Sequence, residues 1–215
     1  VLKTREKMVF GYIGTLTAYE GLEFLIQTFQ ELFDDGFDHQ LVIYGKGVNQ
    51  KSIQDQINSR SDINTVSYKG AIAPSEVYKA FSEIDVIINP RLNTPLTNSV
   101  TPLKPLEAMA YEKLYIGSDV GGIKEIVPQG TGFLFSSENK NELKRVLKKV
   151  VNLSTQDRNS YKKEALDFVI SADVYMDIRC PLQMLFRLTF KQSLGETRAG
   201  SACRVKPGRC GKMAM

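Results

Sequence analysis

Residues 8–14 read Met8-Val9-Phe10-Gly11-Tyr12-Ile13-Gly14, a short apolar run that stops at a glycine. Such a run reads as a buried strand. Beyond it, Leu22, Leu25, Ile26, Phe29, Leu32 and Phe33 fall at helical spacing on one stripe. Residues 21–33 are therefore an amphipathic helix, stopped by Asp34-Asp35-Gly36. The alternation repeats downstream. Leu41-Val42-Ile43-Tyr44 is a second strand, closed by Gly45-Lys46-Gly47, and a polar helix with Ile53 and Ile57 on its inner face follows. Residues 65–69 are a third strand, Pro74 and Ser75 open a helix marked by Val77, Tyr78 and Phe81, and residues 85–89 are a fourth strand. After a polar loop, a helix near 102–111 carries Leu103, Leu106, Met109 and Ala110. Residues 114–116 and 132–135 supply two more strands around a short helix at 122–127. Two charged helices, near 138–152 and 157–170, close the pattern. Repeated strand–helix alternation implies parallel strands joined by right-handed crossovers. About six such strands with helices on both faces make an α/β fold, a Rossmann-like doubly wound parallel sheet.

The 215 residues suffice for one large domain or two small ones. With 42% hydrophobic and 24% charged residues, disorder is excluded along most of the chain. No apolar run approaches the roughly 18–20 residues of a membrane span. The charged start, Val1-Leu2-Lys3-Thr4-Arg5-Glu6-Lys7, shows no signal peptide, and the missing initial Met suggests a piece of something longer. Three Cys without a C-x-x-C pair indicate neither a disulfide framework nor a zinc ribbon. A single histidine, His39, excludes a multi-histidine metal centre. The net charge of +4 is uneven: residues 173–215 hold eight Lys/Arg against three Asp/Glu, or +5, leaving −1 for residues 1–172. The basic character belongs to the tail, which removes support for a nucleic-acid partner. The expected organisation is one domain over 1–172 and an atypical basic tail over 173–215, with 195–215 disordered. A cloning or frame artefact would explain the tail, as would a basic arm for anionic lipid or a partner.

In an open parallel sheet, ligands sit at the carboxyl ends of strands, near the topological switch point. Four features fall at such ends. After the first strand, Gly11, Gly14 and Thr15 with Glu20-Gly21 let backbone approach a phosphate, or simply form a tight strand-to-helix turn. Gly45-Lys46-Gly47 lacks the third spaced glycine of a dinucleotide fingerprint, and reads as a turn with a solvated Lys46. The third feature runs from Asn89-Pro90-Arg91 to Thr101-Pro102-Leu103-Lys104-Pro105-Leu106-Glu107-Ala108-Met109-Ala110. Thr101 suits an N-cap and Pro102 the first helical position. Pro105 stays within the opening turn or marks a delayed start. Backbone N–H groups of Thr101, Leu103 and Lys104 are candidates to point outward, and Arg91 and Lys104 add two mobile positive charges. Together they suit a diphosphate. Glu107 lies about one turn in, on an otherwise apolar segment, where a carboxylate needs hydrogen-bond donors. A ribose diol would supply two; the alternative is a pair with Lys104, three residues earlier. In the fourth feature, residues 117–126, Gly121-Gly122 leaves room for a bulky ligand and Glu125 suits a helix N-terminus.

These pieces carry a resemblance. Gly11-Tyr12-Ile13-Gly14 with Gly21-Leu22, the stretch 41–47, Tyr68-Lys69-Gly70, the stretch 85–90, Leu106-Glu107-Ala108-Met109-Ala110 and Ser118-Asp119-Val120-Gly121-Gly122 stand in matching order and spacing over about residues 8–135. They resemble the C-terminal, donor-binding half of retaining group 1 glycosyltransferases of family 4, which have the two-Rossmann GT-B architecture. Tyr19-Glu20-Gly21-Leu22 together with residues 101–107 looks like a subgroup linked to bacterial exopolysaccharide or cell-surface glycan assembly. In such families the second Glu of an E-x7-E motif hydrogen-bonds the donor ribose, which the resemblance carries onto Glu107. The first Glu falls at Ser99, so Asn98 and Ser99 offer hydrogen bonds rather than charge. The family places an Arg after the first-strand glycine, here Gly14, and a Lys before the next one, both on the donor phosphates. Thr15 and Glu20 stand there instead, with Arg91 and Lys104 as replacements. Backbone near Gly70, Ala71 and Ile72 would face the base.

The resemblance implies a sugar-nucleotide-binding domain of a transferase that moves a sugar from a UDP- or GDP-sugar to a glycan or lipid-linked acceptor with retention. Catalysis would stabilise the departing nucleoside diphosphate electrostatically, through Arg91, Lys104 and helix N-termini, with Glu107 on the ribose. No D-x-D triplet occurs in the sequence, so no metal and no cofactor are expected. The acceptor domain should precede Val1, leaving this chain an inactive half. The implied location is cytoplasmic, with peripheral membrane contact at the inner face open to the full-length protein. A sugar-nucleotide epimerase of the same fold and a non-catalytic nucleotide-binding module are the alternatives.

Overall fold

A computed structural model describes residues 7–60 and 64–171. All of them belong to one unit of the chain, and the basic tail read at 173–215 lies outside them. The elements follow the alternation. They are β1 (Val9–Ile13), α1 (Leu22–Asp34), β2 (Gln40–Tyr44), α2 (Gln50–Asn58), β3 (Val66–Gly70), α3 (Val77–Glu83) and β4 (Val86–Asn89). Then come α4 (Pro95–Ser99), α5 (Lys104–Ala110), β5 (Leu114–Ser118), α6 (Ile123–Ile126), β6 (Phe133–Phe135), α7 (Lys140–Val151) and α8 (Thr155–Ser171). The six strands form one parallel sheet in the order β3-β2-β1-β4-β5-β6. The chain works outward from β1 in one direction and returns to lay β4 on its other side, so the switch point lies between β1 and β4.

Strand periodicity assigns the core. Phe10, Tyr12, Leu41 and Ile43 point to one face, where they meet Leu25, Ile26 and Phe29 of α1 and Leu143, Leu147 and Val150 of α7. Val42, Ile87 and Tyr115 point to the other, against Phe81 of α3, Leu106 and Met109 of α5 and Val169 of α8. Covering both faces requires nearly continuous apolar strands, which is what the sequence supplies. Each such side chain taken fully out of water stabilises the fold by roughly 1.5–3 kcal/mol. The Phe10 and Phe29 rings add an edge-on contact at 5.5 Å. No helix among the described residues is long and apolar enough to cross a membrane.

Two local expectations are corrected, both beside the switch point. The polar loop after β4 contains α4. Pro95 opens that helix and Thr94 caps it: Thr97 N–H donates to Thr94 Oγ1 at 3.2 Å, and Thr94 N–H donates to Thr97 Oγ1 at 2.9 Å. Five residues without an apolar stripe give no periodicity, so only the cap chemistry marks them. Thr94→Ala should cost about 0.5–2 kcal/mol of stability, as for other lost caps, and chemical denaturation measures it. Secondly, α5 starts at Lys104 with Leu103 as its N-cap, not at Pro102 with Thr101. A cap at Thr101 would need an N–H four residues on, where Pro105 has none. The first turn therefore closes from Glu107 N–H to Leu103 O, at 3.0 Å.

Candidate functional site

The site grows out of the turn after β1. Gly14 N–H donates to Tyr44 O at 3.1 Å, tying the turn to β2. A short 3-10 turn, Ala18–Glu20, then runs into Gly21, whose φ of 71° is left-handed. A Cβ on Gly21 would collide with the Pro90 carbonyl oxygen. That close approach brings Glu20 against the end of β4.

Glu20 is buried, at 3% exposure, and gathers two cations. Its Oε2 lies 2.6 Å from Lys104 Nζ and its Oε1 lies 3.4 Å from Arg91 Nε. Lys104 also donates to Tyr12 Oη at 2.9 Å and sits 4.7 Å over that ring. Tyr12 in turn donates to Thr15 O at 2.8 Å. Arg91 is 6% exposed. It donates from Nη1 to Val100 O at 3.1 Å, and its guanidinium lies 5.6 Å from the Tyr19 ring centre. Its backbone carbonyl accepts from Ser118 Oγ and Ser137 Oγ at 2.7 and 3.0 Å. Gly14 completes the cluster, since a Cβ there would fall 2.6 Å from Lys104 Cε.

Arg91 and Lys104, expected as mobile charges, are thus held. A buried cation is tolerated only when paired, and Glu20 is the pairing group. Burial pulls the Lys104 amine below its ordinary value, and the Glu20 carboxylate acts against that pull. The Tyr12 hydroxyl is pushed well up, chiefly by burial and then by the charge of Glu20.

Glu107 behaves differently. It is half-buried, and among the described residues no hydrogen bond or ion pair holds its carboxylate. The alternative pairing with Lys104 is not formed, because Glu20 occupies that ammonium. The carboxyl is pushed up from its ordinary value by burial, with nearby Lys104 opposing. Being one turn apart on α5, Glu107 and Lys104 share a face.

The other expected residues spread around this centre. Asn98 accepts from Gly121 N–H at 3.1 Å and donates to Asn93 Oδ1 at 2.7 Å. Ser99 donates to Leu96 O at 3.0 Å. Thr101 and Leu103 are exposed, and neither backbone N–H has an acceptor among the described residues. Gly121-Gly122 does not leave room for a bulky ligand: a Cβ at Gly121 would strike the Thr97 carbonyl, and one at Gly122 the Thr101 side chain. The two glycines instead let the α4–α5 segment close over the end of β5. Gly70 ends the edge strand β3 and Ala71 and Ile72 follow it, two strands from β1, or about 10 Å across the sheet. Beside Gly70 the space is open within 4 Å. The residues that sequence reasoning missed are Glu20 as the organiser of the cations, with Tyr12 and Tyr19 as their aromatic supports. The available signal was an acid directly before a glycine at a strand-to-helix turn.

Comparison with known proteins bears on the family and the fold. The family described as glycosyl transferases group 1 matches residues 1–167. An alpha-D-kanosaminyltransferase of Streptomyces kanamyceticus is 25% identical over 59% of this chain and 31% of its own length. A 2-deoxystreptamine glucosyltransferase of the same organism is 23% identical over 67% of this chain and 36% of its own. The chain thus spans about a third of the length of these curated relatives. Among solved structures, sucrose-phosphate synthase of Thermosynechococcus elongatus superposes with a TM-score of 0.69 at 20% identity, over 88% of this chain and 47% of that one. The C-terminal domain of a group 1 glycosyl transferase of Francisella tularensis gives 0.63 at 17%, over 76% and 85%. Anabaena HepE, in complex with UDP and glucose, gives 0.62 at 18%, over 87% and 48%. With its strand order and a family match over most of its length, the chain belongs to the group 1 glycosyl transferases and carries one Rossmann-like domain of the GT-B type.

Proposed function

We propose that residues 1–172 are the donor-binding half of a retaining, family-4 glycosyltransferase that uses a UDP- or GDP-sugar. The observation that carries this reading is Glu107: a half-buried carboxylate without a partner among the described residues, one helical turn from a buried cation pair. A carboxylate so placed lacks donors. A nucleotide ribose brings two hydroxyls, while its diphosphate reaches Lys104 and Arg91. The UDP bound to the structurally similar HepE supports the ligand class. The two curated relatives, both named as sugar transferases, support the reaction class.

In the reaction, the bond between the anomeric carbon and the diphosphate oxygen breaks with its electrons on that oxygen. An acceptor hydroxyl forms the new bond on the same face and passes its proton to the departing diphosphate oxygen. Negative charge grows on the leaving diphosphate, so cations fixed beforehand lower the barrier more than mobile ones. Arg91 and Lys104 are fixed in that way by Glu20. No metal is assigned, since these two side chains carry the charge. The acceptor, a glycan or a lipid-linked glycan of bacterial surface polysaccharide assembly, is assigned to a domain preceding Val1. The assembled enzyme works in the cytoplasm, at the inner face of the membrane.

Glu107→Gln tests the reading in two directions. A carboxyl raised above its ordinary 4.5 binds a proton in the folded chain that the unfolded chain lacks. The stability from that proton is present below the unfolded value and is lost as pH rises through the raised one. At neutral pH the carboxylate therefore burdens the fold, and its removal should raise the melting temperature and flatten the pH dependence above 4.5. Nucleoside diphosphate affinity should instead drop by about 1–2 kcal/mol, because charge-assisted bonds to the ribose become neutral ones. Unchanged affinity would remove Glu107 from the site.

A further inference from the structure

We propose that Glu20 is a positioning residue of the donor site: it holds the Lys104 ammonium and the Arg91 guanidinium for a diphosphate and leaves the cluster one net positive charge. The proposal rests on the donor-site reading above and adds a role for an acid within an anion site.

An acid beside phosphates should weaken binding through simple repulsion, so its burial here needs a reason. Glu20 is 5% exposed at its side chain and directs one oxygen to each cation, at 2.6 and 3.4 Å. Arg91 has further anchors, through Val100 O and the two serine hydroxyls on its carbonyl. Among the described residues, Lys104 has Tyr12 besides Glu20 as a hydrogen-bond partner. Its amine is flanked by Arg91, which disfavours the charged form, and by Glu107, which favours it from the next turn. Tyr12 carries no charge near neutrality, and Tyr19 lies on the Arg91 side of the cluster. Without Glu20, Lys104 is a largely buried amine, about a fifth exposed, beside a guanidinium. It then sheds its proton more readily, and a neutral amine does not clamp a phosphate.

The backbone supports the same assignment. Gly21 must take a left-handed conformation against Pro90 for Glu20 to reach the end of β4. Gly14 must lack a side chain for Lys104 to lie over the turn. Both positions let the ion cluster close at the ends of β1 and β4.

Calorimetric titration of UDP against the 215-residue chain, Glu20→Gln and Glu20→Asp, at roughly pH 7 and pH 9, tests this, with uridine as control. Both UDP phosphates are ionised across that range, their last proton leaving near pH 6. The unsubstituted chain should bind UDP equally at both pH values, within about twofold. Glu20→Gln should bind about tenfold more weakly at pH 9 than at pH 7, as Lys104 loses its proton. Uridine binding should not follow pH in this way. Glu20→Asp keeps the charge but shortens the reach by one methylene, so it should bind more weakly at both pH values with a flat profile. It carries the test if Glu20→Gln does not fold. Wild-type UDP affinity with a flat profile in Glu20→Gln, or tighter binding at both pH values, would overturn the proposal and mark Glu20 as a competing charge. Wild-type affinity in Glu20→Asp would overturn it too. If the unsubstituted chain binds neither UDP nor GDP, the donor-site reading itself fails, which is a distinct result.

Discussion

Replacing Lys104 with Met should weaken nucleoside diphosphate binding by roughly 5- to 150-fold, the equivalent of about 1–3 kcal/mol for a lost charge-assisted bond. The same change should destabilise the fold. Glu20 would keep only Arg91, at 3.4 Å, and the 2.6 Å contact would be gone. Breaking a fully buried pair costs about 3–5 kcal/mol; here a cation remains and Lys104 is partly exposed, so about 1–3 kcal/mol is expected. Binding of the bare nucleoside should change little, since the proposed site assigns the ammonium to the phosphates. Titrations of UDP and uridine, with denaturation on the same protein, separate the two effects. Equal losses for both ligands would take Lys104 off the phosphates. Arg91 is a poorer probe, because its hydrogen bond to Val100 and its buried position tie its removal to the fold.

Gly21→Val should cost about 3 kcal/mol of stability or more. A left-handed residue with a side chain costs roughly 1–2 kcal/mol, and forcing a branched side chain into packed backbone costs roughly 1–3 kcal/mol again. The obstacle is the Pro90 carbonyl, which lies at the end of a central strand and has little freedom to move. For a domain of this size such a loss lowers the melting temperature by roughly 6–12 °C. A melting temperature within about 2 °C of the unsubstituted chain would mean that α1 and β4 do not approach as described.

The sheet was legible because its signal is redundant. Residues 8–13, 41–44 and 86–88 are apolar on both faces, and only a parallel sheet covered twice accommodates them. The stripe from Leu22 to Leu32 likewise admits one period only. The site was half legible. Arg91, Lys104 and Glu107 could be gathered, since each stands at a strand end or helix start that the fold brings to the switch point. What holds them could not. Glu20 and Lys104 are separated by 84 residues, and no local pattern reports which acid meets which base. The nearby Lys104–Glu107 spacing suggested a plausible wrong pair. For α5 the sequence left an opening at Thr101-Pro102 and a delayed start both open, and the delayed start forms. Thr101-Pro102 is a good opening by itself, and the missing N–H at Pro105 decides against it only when the first hydrogen bond is counted. At Gly121-Gly122 the sequence showed the missing side chains, but what fills their place is the segment at 97–101, a tertiary fact.

The reading of this chain as a donor-binding domain stands or falls on whether it recognises a nucleotide through its phosphates and ribose together. Isothermal titration of UDP, GDP and uridine against the chain measures this directly. Weak but saturable binding of at least one diphosphate is expected, with the nucleoside at least tenfold weaker, about 1.4 kcal/mol. No heat with either diphosphate at millimolar concentration, or nucleoside and diphosphate bound equally, would contradict it.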